Sequence, residues 1–122
     1  MSKAFILIAE DDPDTREYLS LLLRLEGFDV ATAEDGERAL QSLAQTPPDL
    51  LLTDLMMPQV DGLELIRRVR QQREFADLPI VAMSAYGLSR ISEAQAAGAT
   101  ATIRKPLDIE NLISTISQVL AG

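Results

Sequence analysis

The chain has 122 residues, 47% of them hydrophobic, and a formal net charge of −8; this length fits one core, so we expect a single domain over residues 1–122. It contains neither cysteine nor histidine, which excludes disulfides, thiolate nucleophiles and imidazole metal ligands and leaves carboxylates, hydroxyls and lysine for any chemistry. The negative charge disfavours direct nucleic-acid binding. The longest apolar run, residues 4–9, is too short to cross a membrane, and we therefore expect a cytoplasmic protein.

Short apolar runs rich in β-branched residues alternate along the chain with segments of helical period. This alternation is typical of an α/β domain with a parallel sheet. Each run is short, as strands buried on both faces of a sheet usually are. The predicted strands are residues 4–9, 28–32, 50–53, 80–83 and 100–103.

The first helix should begin at Pro13, with Asp12 as its cap, and end before Gly27. Apolar residues at i, i+3, i+4 and i+7 predict its buried face. The residues in this predicted stripe are Tyr18, Leu21, Leu22 and Leu25.

Three further helices are predicted at about residues 35–44, 63–71 and 88–97, and a last one follows a capping Asp108. In the third helix, Leu63, Ile66 and Val69 should face the core. The last helix carries a strong apolar stripe of Ile109, Leu112, Ile113, Ile116, Val119 and Leu120. The order corresponds to five βα units.

Reactive polar groups follow four of the five predicted strands. Ligands of parallel α/β sheets bind outside the carboxyl ends of the strands. If these strands are neighbours, several carboxylates face a lysine and a hydroxyl in one cleft. Because the carboxylates would repel one another, the cleft calls for a hard cation with oxygen ligands, above all Mg²⁺. The groups are Glu10, Asp11, Asp12, Asp54, Ser84 and Lys105.

Each of these features also has a structural explanation. The acidic run before the first helix could serve only as a cap, and Asp54 could be only a turn residue. Ser84 could be a structural hydroxyl and Lys105 a surface charge. Their joint placement at strand ends favours a functional site.

The chain resembles the response-regulator receiver family over essentially its whole length. The resembling stretches are residues 6–12, 48–58, 61–62, 79–85 and 105–106. The resemblance implies a doubly wound, flavodoxin-like α/β fold with strand order 2-1-3-4-5. That order makes the first, third, fourth and fifth strands neighbours.

The resemblance also implies a role for each site residue. Asp54 would be the phosphoacceptor and Lys105 the partner of the phosphoryl group, with a cis bond to Pro106. Ser84 would be the switch hydroxyl. The implied metal set for Mg²⁺ consists of Asp11 and Asp54 as direct ligands, the backbone carbonyl of Met56, and Glu10 through water.

A receiver accepts a phosphoryl group from the phosphohistidine of a sensor histidine kinase or phosphotransfer protein and then switches a downstream effector. By resemblance the chain is thus a signalling domain that assists its own phosphorylation and dephosphorylation, rather than an enzyme with a separate substrate. One alternative is a degenerate receiver that acts as an interaction module without phosphorylation. An aspartate-nucleophile phosphatase would require an acid where Met56 stands, and a nucleotide-binding fold would require glycines after the first strand.

The chain departs from the family pattern at Thr102 and Leu107, where aromatic residues are common. We therefore expect signalling through Ser84 and the loop at residues 86–89, rather than through an aromatic side chain that turns inward. Met56 and Tyr86 should flank the phosphoryl group. Since neither is an obvious base, the phosphorylated state is expected to be long-lived.

Overall fold

The computed structural model describes residues 3–57, 59–85 and 88–122. Each predicted strand occurs within one residue of its predicted ends, and a short 3₁₀ turn at Arg73–Phe75 was not predicted. In chain order the elements are β1 (Phe5–Ala9), α1 (Pro13–Leu25), β2 (Asp29–Ala33), α2 (Gly36–Gln45), β3 (Leu50–Asp54), α3 (Gly62–Gln71), β4 (Ile80–Ser84), α4 (Leu88–Ala97), β5 (Ala101–Arg104) and α5 (Ile109–Ala121).

The five strands form one parallel sheet in the order β2-β1-β3-β4-β5. This confirms the predicted flavodoxin-like order. Every residue of β3 and β4 is buried, as expected for central strands covered on both faces. The carboxyl ends of β1, β3, β4 and β5 therefore meet along one edge.

The core has two layers, one on each face of the sheet, because successive side chains of a strand point to opposite faces. Leu7 and Leu51 join the layer that contains α3, whereas Ile6 and Leu52 join the layer that contains α1 and α5. In α3 the predicted residues Leu63, Ile66 and Val69 are buried, together with Leu65. In α5, Leu112 and Ile116 are buried, and the other predicted apolar residues are partly buried.

The prediction of which face of α1 is buried is wrong. Leu19 and Leu23 are fully buried, whereas Tyr18, Leu21 and Leu25 are 51%, 60% and 77% exposed. Leucines occupy so much of this helix that periodicity does not distinguish one face from another. In the observed rotation Leu19 and Leu23 pack in the same core layer as Ile6 and Leu52. Arg16 then donates to the Glu10 carbonyl at 2.9 Å, and Arg24 donates to the Val30 carbonyl at 3.2 Å.

Aspartates cap four helices. The Asp12 side chain accepts a hydrogen bond from the Thr15 backbone N–H, and the Asp108 side chain accepts one from Glu110. Both caps were predicted. Asp35 and Asp61 cap α2 and α3 in the same way. Among residues 3–57, 59–85 and 88–122, no helix combines the length and apolar character needed to cross a bilayer.

Candidate functional site

The edge of the sheet brings together the polar groups predicted from the sequence. Asp54 is the last residue of β3 and pairs in register with Met83 of β4, so Ser84 lies one residue further along the neighbouring strand. Glu10 directly follows β1. Lys105 directly follows β5, where its backbone N–H donates to the Ser84 carbonyl at 2.8 Å.

Asp54 is almost completely buried, with 6% of its surface exposed. Its Oδ1 accepts a hydrogen bond from the Met56 backbone N–H at 3.4 Å, and its Oδ2 lies 3.2 Å from the Nζ of Lys105. The adjacent Thr53 hydroxyl donates to the Asp54 carbonyl at 2.9 Å. The carboxylate is thus oriented from two sides at the end of a buried strand.

Lys105 lies between two carboxylates. Its Nζ is 3.1 Å from Oε1 of Glu10 and 3.2 Å from Oδ2 of Asp54. Burial by itself lowers the pKa of Lys105, but the negative charges of Asp54 and Glu10 outweigh burial and raise the pKa above its ordinary value. The ammonium group therefore remains positively charged throughout the neutral range.

Glu10 is fully buried. Burial, followed by the negative charge of Asp54, raises the pKa of Glu10 from 4.5 to about 7, although Lys105 and the Asp12 backbone N–H act in the opposite direction. The single positive charge of Lys105 does not offset both carboxylates. The cleft thus retains an excess of negative charge, which favours a bound cation.

Three carboxylates have the spacing of a metal site. Glu10, Asp11 and Asp54 each offer one oxygen within 4.8 Å of the others, and Asp11 is exposed on the open side. An all-oxygen set of this kind suits a hard divalent cation. Asp12 serves a structural purpose, because its carboxylate accepts from both the backbone N–H and the hydroxyl of Thr15. The capping explanation is therefore confirmed for Asp12, whereas the metal roles of Glu10 and Asp11 stay predictions.

Two residues that shape the site were missed as functional positions. Arg16 donates from Nη1 to the carbonyls of Glu10 and Asp11, at 2.9 and 3.4 Å, and so supports the acidic loop from α1. A Cβ atom on Gly62 would lie 2.2 Å from the Asp54 carbonyl oxygen and 2.6 Å from Cα of Leu55. Only glycine allows α3 to begin directly against the end of β3.

Some of the remaining predictions can be compared with the structure, and others cannot. The Lys105–Pro106 bond is cis, as predicted. Ser84 is 2% exposed, Thr102 is half-buried on β5 and Leu107 packs against the α1 and α5 layer of the core. The metal role of the Met56 carbonyl stays a prediction. Tyr86 and Gly87 lie outside the described residues, so the roles predicted for Tyr86 and the loop at residues 86–89 also stay predictions.

The family model described as the response regulator receiver domain matches residues 6–117. The chain belongs to this family. It is therefore a receiver domain of the kind used in two-component signalling.

Individual relatives agree with this assignment. The receiver is 34% identical to the DNA-binding dual master transcriptional regulator RpaA of Synechocystis sp., over 94% of this chain and 48% of that protein. It is 39% identical to the response regulator MprA of Mycobacterium leprae, over 94% of this chain and 50% of that protein. The structure of chemotaxis protein CheY4 of Vibrio cholerae is 30% identical with a TM-score of 0.92, covering 97% of this chain and 99% of that one. The receiver thus spans about half the length of the two regulators.

Proposed function

We propose that the receiver accepts a phosphoryl group on Asp54 and that this modification changes its affinity for a downstream protein. The observation that carries this proposal is the position of Asp54, which ends a buried strand 3.2 Å from the Lys105 ammonium and within 4.8 Å of two further carboxylates. Glu10 also follows a strand, contacts the lysine and belongs to the candidate metal site, but it is completely buried, whereas Asp54 keeps 6% of its surface exposed for a phosphoryl donor to reach. A degenerate receiver would have lost at least one of these features.

The proposed reaction is a direct transfer. An Asp54 carboxylate oxygen forms a bond to phosphorus, the phosphorus–nitrogen bond of a phosphohistidine breaks, and the imidazole leaves with the electron pair. The chain contains no histidine, so the donor belongs to another protein, a sensor histidine kinase or a phosphotransfer protein. Lys105 would pair with a phosphoryl oxygen while negative charge spreads over the transferred group.

The candidate metal site fits Mg²⁺, since its donors are carboxylate oxygens and its open side is formed by exposed Asp11. Asp11 and Asp54 would hold the ion directly, together with the Met56 carbonyl, and Glu10 would support it through water. When bound, the ion supplies positive charge that offsets the clustered carboxylates and the incoming phosphoryl group. In this arrangement Glu10 and Lys105 keep the Asp54 carboxylate oriented.

Ser84 is the residue that we propose couples phosphorylation to the output. Its backbone is adjacent to Asp54 across the β3–β4 pair, and α4 follows directly in the chain. A hydroxyl drawn toward the phosphoryl group would shift the equilibrium between two conformations of the segment that connects β4 to α4. The downstream partner would be a protein or protein domain, because the charge of −8 disfavours direct contact with nucleic acid.

Intact mass measurement tests the proposal. The receiver is incubated with Mg²⁺ and a small acyl phosphate, and it should gain the mass of one phosphoryl group. Asp54→Asn should gain none, whereas Asp29→Asn, which changes an exposed aspartate on β2, should react like the parent. Equal labelling of Asp54→Asn would end the proposal. Ser84→Ala should be labelled and yet bind its target like the unphosphorylated protein.

A further inference from the structure

A side-chain contact links the acceptor loop to α4. Nη2 of Arg90 lies 3.1 Å from Sδ of Met56, 34 positions earlier in the chain. Met56 is two residues after Asp54, and Arg90 lies in the first turn of α4. The contact therefore joins the segments that follow the ends of two adjacent strands, β3 and β4. Asp54 and Ser84 occupy those two ends.

Met56 starts next to the acceptor, because its backbone N–H lies 3.4 Å from Oδ1 of Asp54. The residue is 43% exposed. An exposed, unbranched side chain of this kind ordinarily samples many rotamers. A fixed partner at its far end would confine it to one arrangement.

Arg90 has the properties of such a partner. Its side chain is 25% exposed, and Nη1 of the guanidinium pairs with Oε2 of Glu93 at 3.2 Å, one helical turn away. The planar guanidinium can contact Glu93 with one nitrogen and Met56 with another. The cation is thereby held on α4 while it contacts the sulfur.

We propose that Arg90 is a positioning residue that holds Met56 beside Asp54 and thereby prolongs the lifetime of phosphorylated Asp54. This inference rests on the proposed phosphorylation of Asp54. In hydrolysis, a water oxygen forms a bond to phosphorus and the bond from phosphorus to the Asp54 oxygen breaks, which releases inorganic phosphate, a proton and the free carboxylate. The reaction requires a water molecule in line with that bond, and a thioether held nearby displaces water while offering it almost no hydrogen bond.

A double-mutant cycle tests this role. Parent, Arg90→Ala, Met56→Ala and the double variant are labelled with a small acyl phosphate and Mg²⁺, the donor is removed, and the decay of the labelled mass is followed. Each single variant should decay about three- to tenfold faster than the parent. The double variant should decay no faster than Met56→Ala, because Arg90 acts through Met56. Arg67→Ala, which removes an exposed arginine of α3, should decay like the parent.

The contact itself can be measured without phosphorylation. The chain has four methionines, so methyl labelling gives four resolvable NMR signals. Arg90→Ala should move the Met56 methyl signal toward its value in a free side chain and leave the others in place. An unmoved Met56 signal, or parent-like decay in Arg90→Ala, would overturn the inference.

Further outcomes separate this inference from the proposed function. Additive effects in the double variant would show that Arg90 acts independently of Met56, and so would overturn the positioning role alone. If the parent gains no phosphoryl mass while Asp54 is intact, the proposed function fails and this inference fails with it. Normal labelling with unchanged decay in Arg90→Ala would refute only the role of Arg90.

Discussion

The carboxylates of the site differ in their exposure to solvent and in their partners. Asp11 is exposed, whereas Glu10 is fully buried and paired with Lys105 at 3.1 Å. A carboxylate on the open side can approach a cation directly, while one already engaged with a lysine and a backbone N–H is better suited to support it. The two neighbouring acids should therefore contribute differently to metal affinity.

Titration of Mg²⁺ by calorimetry should distinguish them. Asp11→Ala deletes a proposed direct ligand and should weaken binding more than Glu10→Ala, for which loss of outer support typically costs about 10- to 100-fold. Asp12→Asn, which alters the α1 cap and leaves the three clustered carboxylates in place, serves as the control and should lose less affinity than either variant. Equal affinities for the Asp11 and Glu10 variants would contradict the assigned roles.

Gly62 offers a second test at the scale of one residue. Gly62→Ala places a Cβ atom against the Asp54 backbone, so it should lower the free energy of unfolding by about 1 to 3 kcal/mol and slow acyl-phosphate labelling of the folded protein. Gly36→Ala is a matched control, because its Cβ meets the Val60 carbonyl oxygen at 2.4 Å, away from the acceptor. It should destabilise the protein without slowing labelling, and equal labelling rates for both would argue against a role for Gly62 at the site.

Among the elements, α1 shows how packing selects one of several apolar faces. The helix buries Leu19 and Leu23 and leaves Leu21 exposed. In this rotation Arg16 and Arg24 donate hydrogen bonds to backbone carbonyls near β1 and on β2. The Arg16 bonds also join the acidic loop at residues 10–12 to α1.

Denaturant unfolding checks the rotation of α1. Leu19→Ala leaves a cavity in the core and should cost about 2 to 5 kcal/mol. Leu21→Ala makes the same chemical change on the exposed face and should cost less than about 0.5 kcal/mol. Similar losses for the two variants would show that the exposed face is buried in solution.

For the molecule as a whole, the acidic site couples stability to pH. The pKa of Glu10 is raised from 4.5 to about 7 in the folded protein, chiefly by burial and then by the charge of Asp54. The folded state therefore binds this proton more tightly than the unfolded state. The resulting stabilisation is complete below about pH 4.5 and is lost as pH rises through about 7.

Unfolding of the metal-free receiver should follow this linkage. From Glu10 alone, the free energy of unfolding should decrease by on the order of 3 kcal/mol as the pH rises through the range between the two pKa values. Glu10→Gln should remove this decrease, because the amide does not titrate. Saturating Mg²⁺ should stabilise the parent most at the high end of this pH range, since a cation binds the ionised site. An identical pH dependence in parent and Glu10→Gln would assign the linkage to other groups.

Local sequence patterns were sufficient to predict the order of the elements, the caps at Asp12 and Asp108 and the presence of polar groups after the strands. These features depend on neighbours within a few residues, where periodicity and capping act. Through the family resemblance, the sequence also predicted the strand order. Tertiary packing was needed to show which face of α1 is buried, that Lys105 contacts both Glu10 and Asp54, that Gly62 abuts Asp54 and that Arg90 contacts Met56. Each of these depends on groups distant in sequence or on competition between faces, and local patterns do not contain that information.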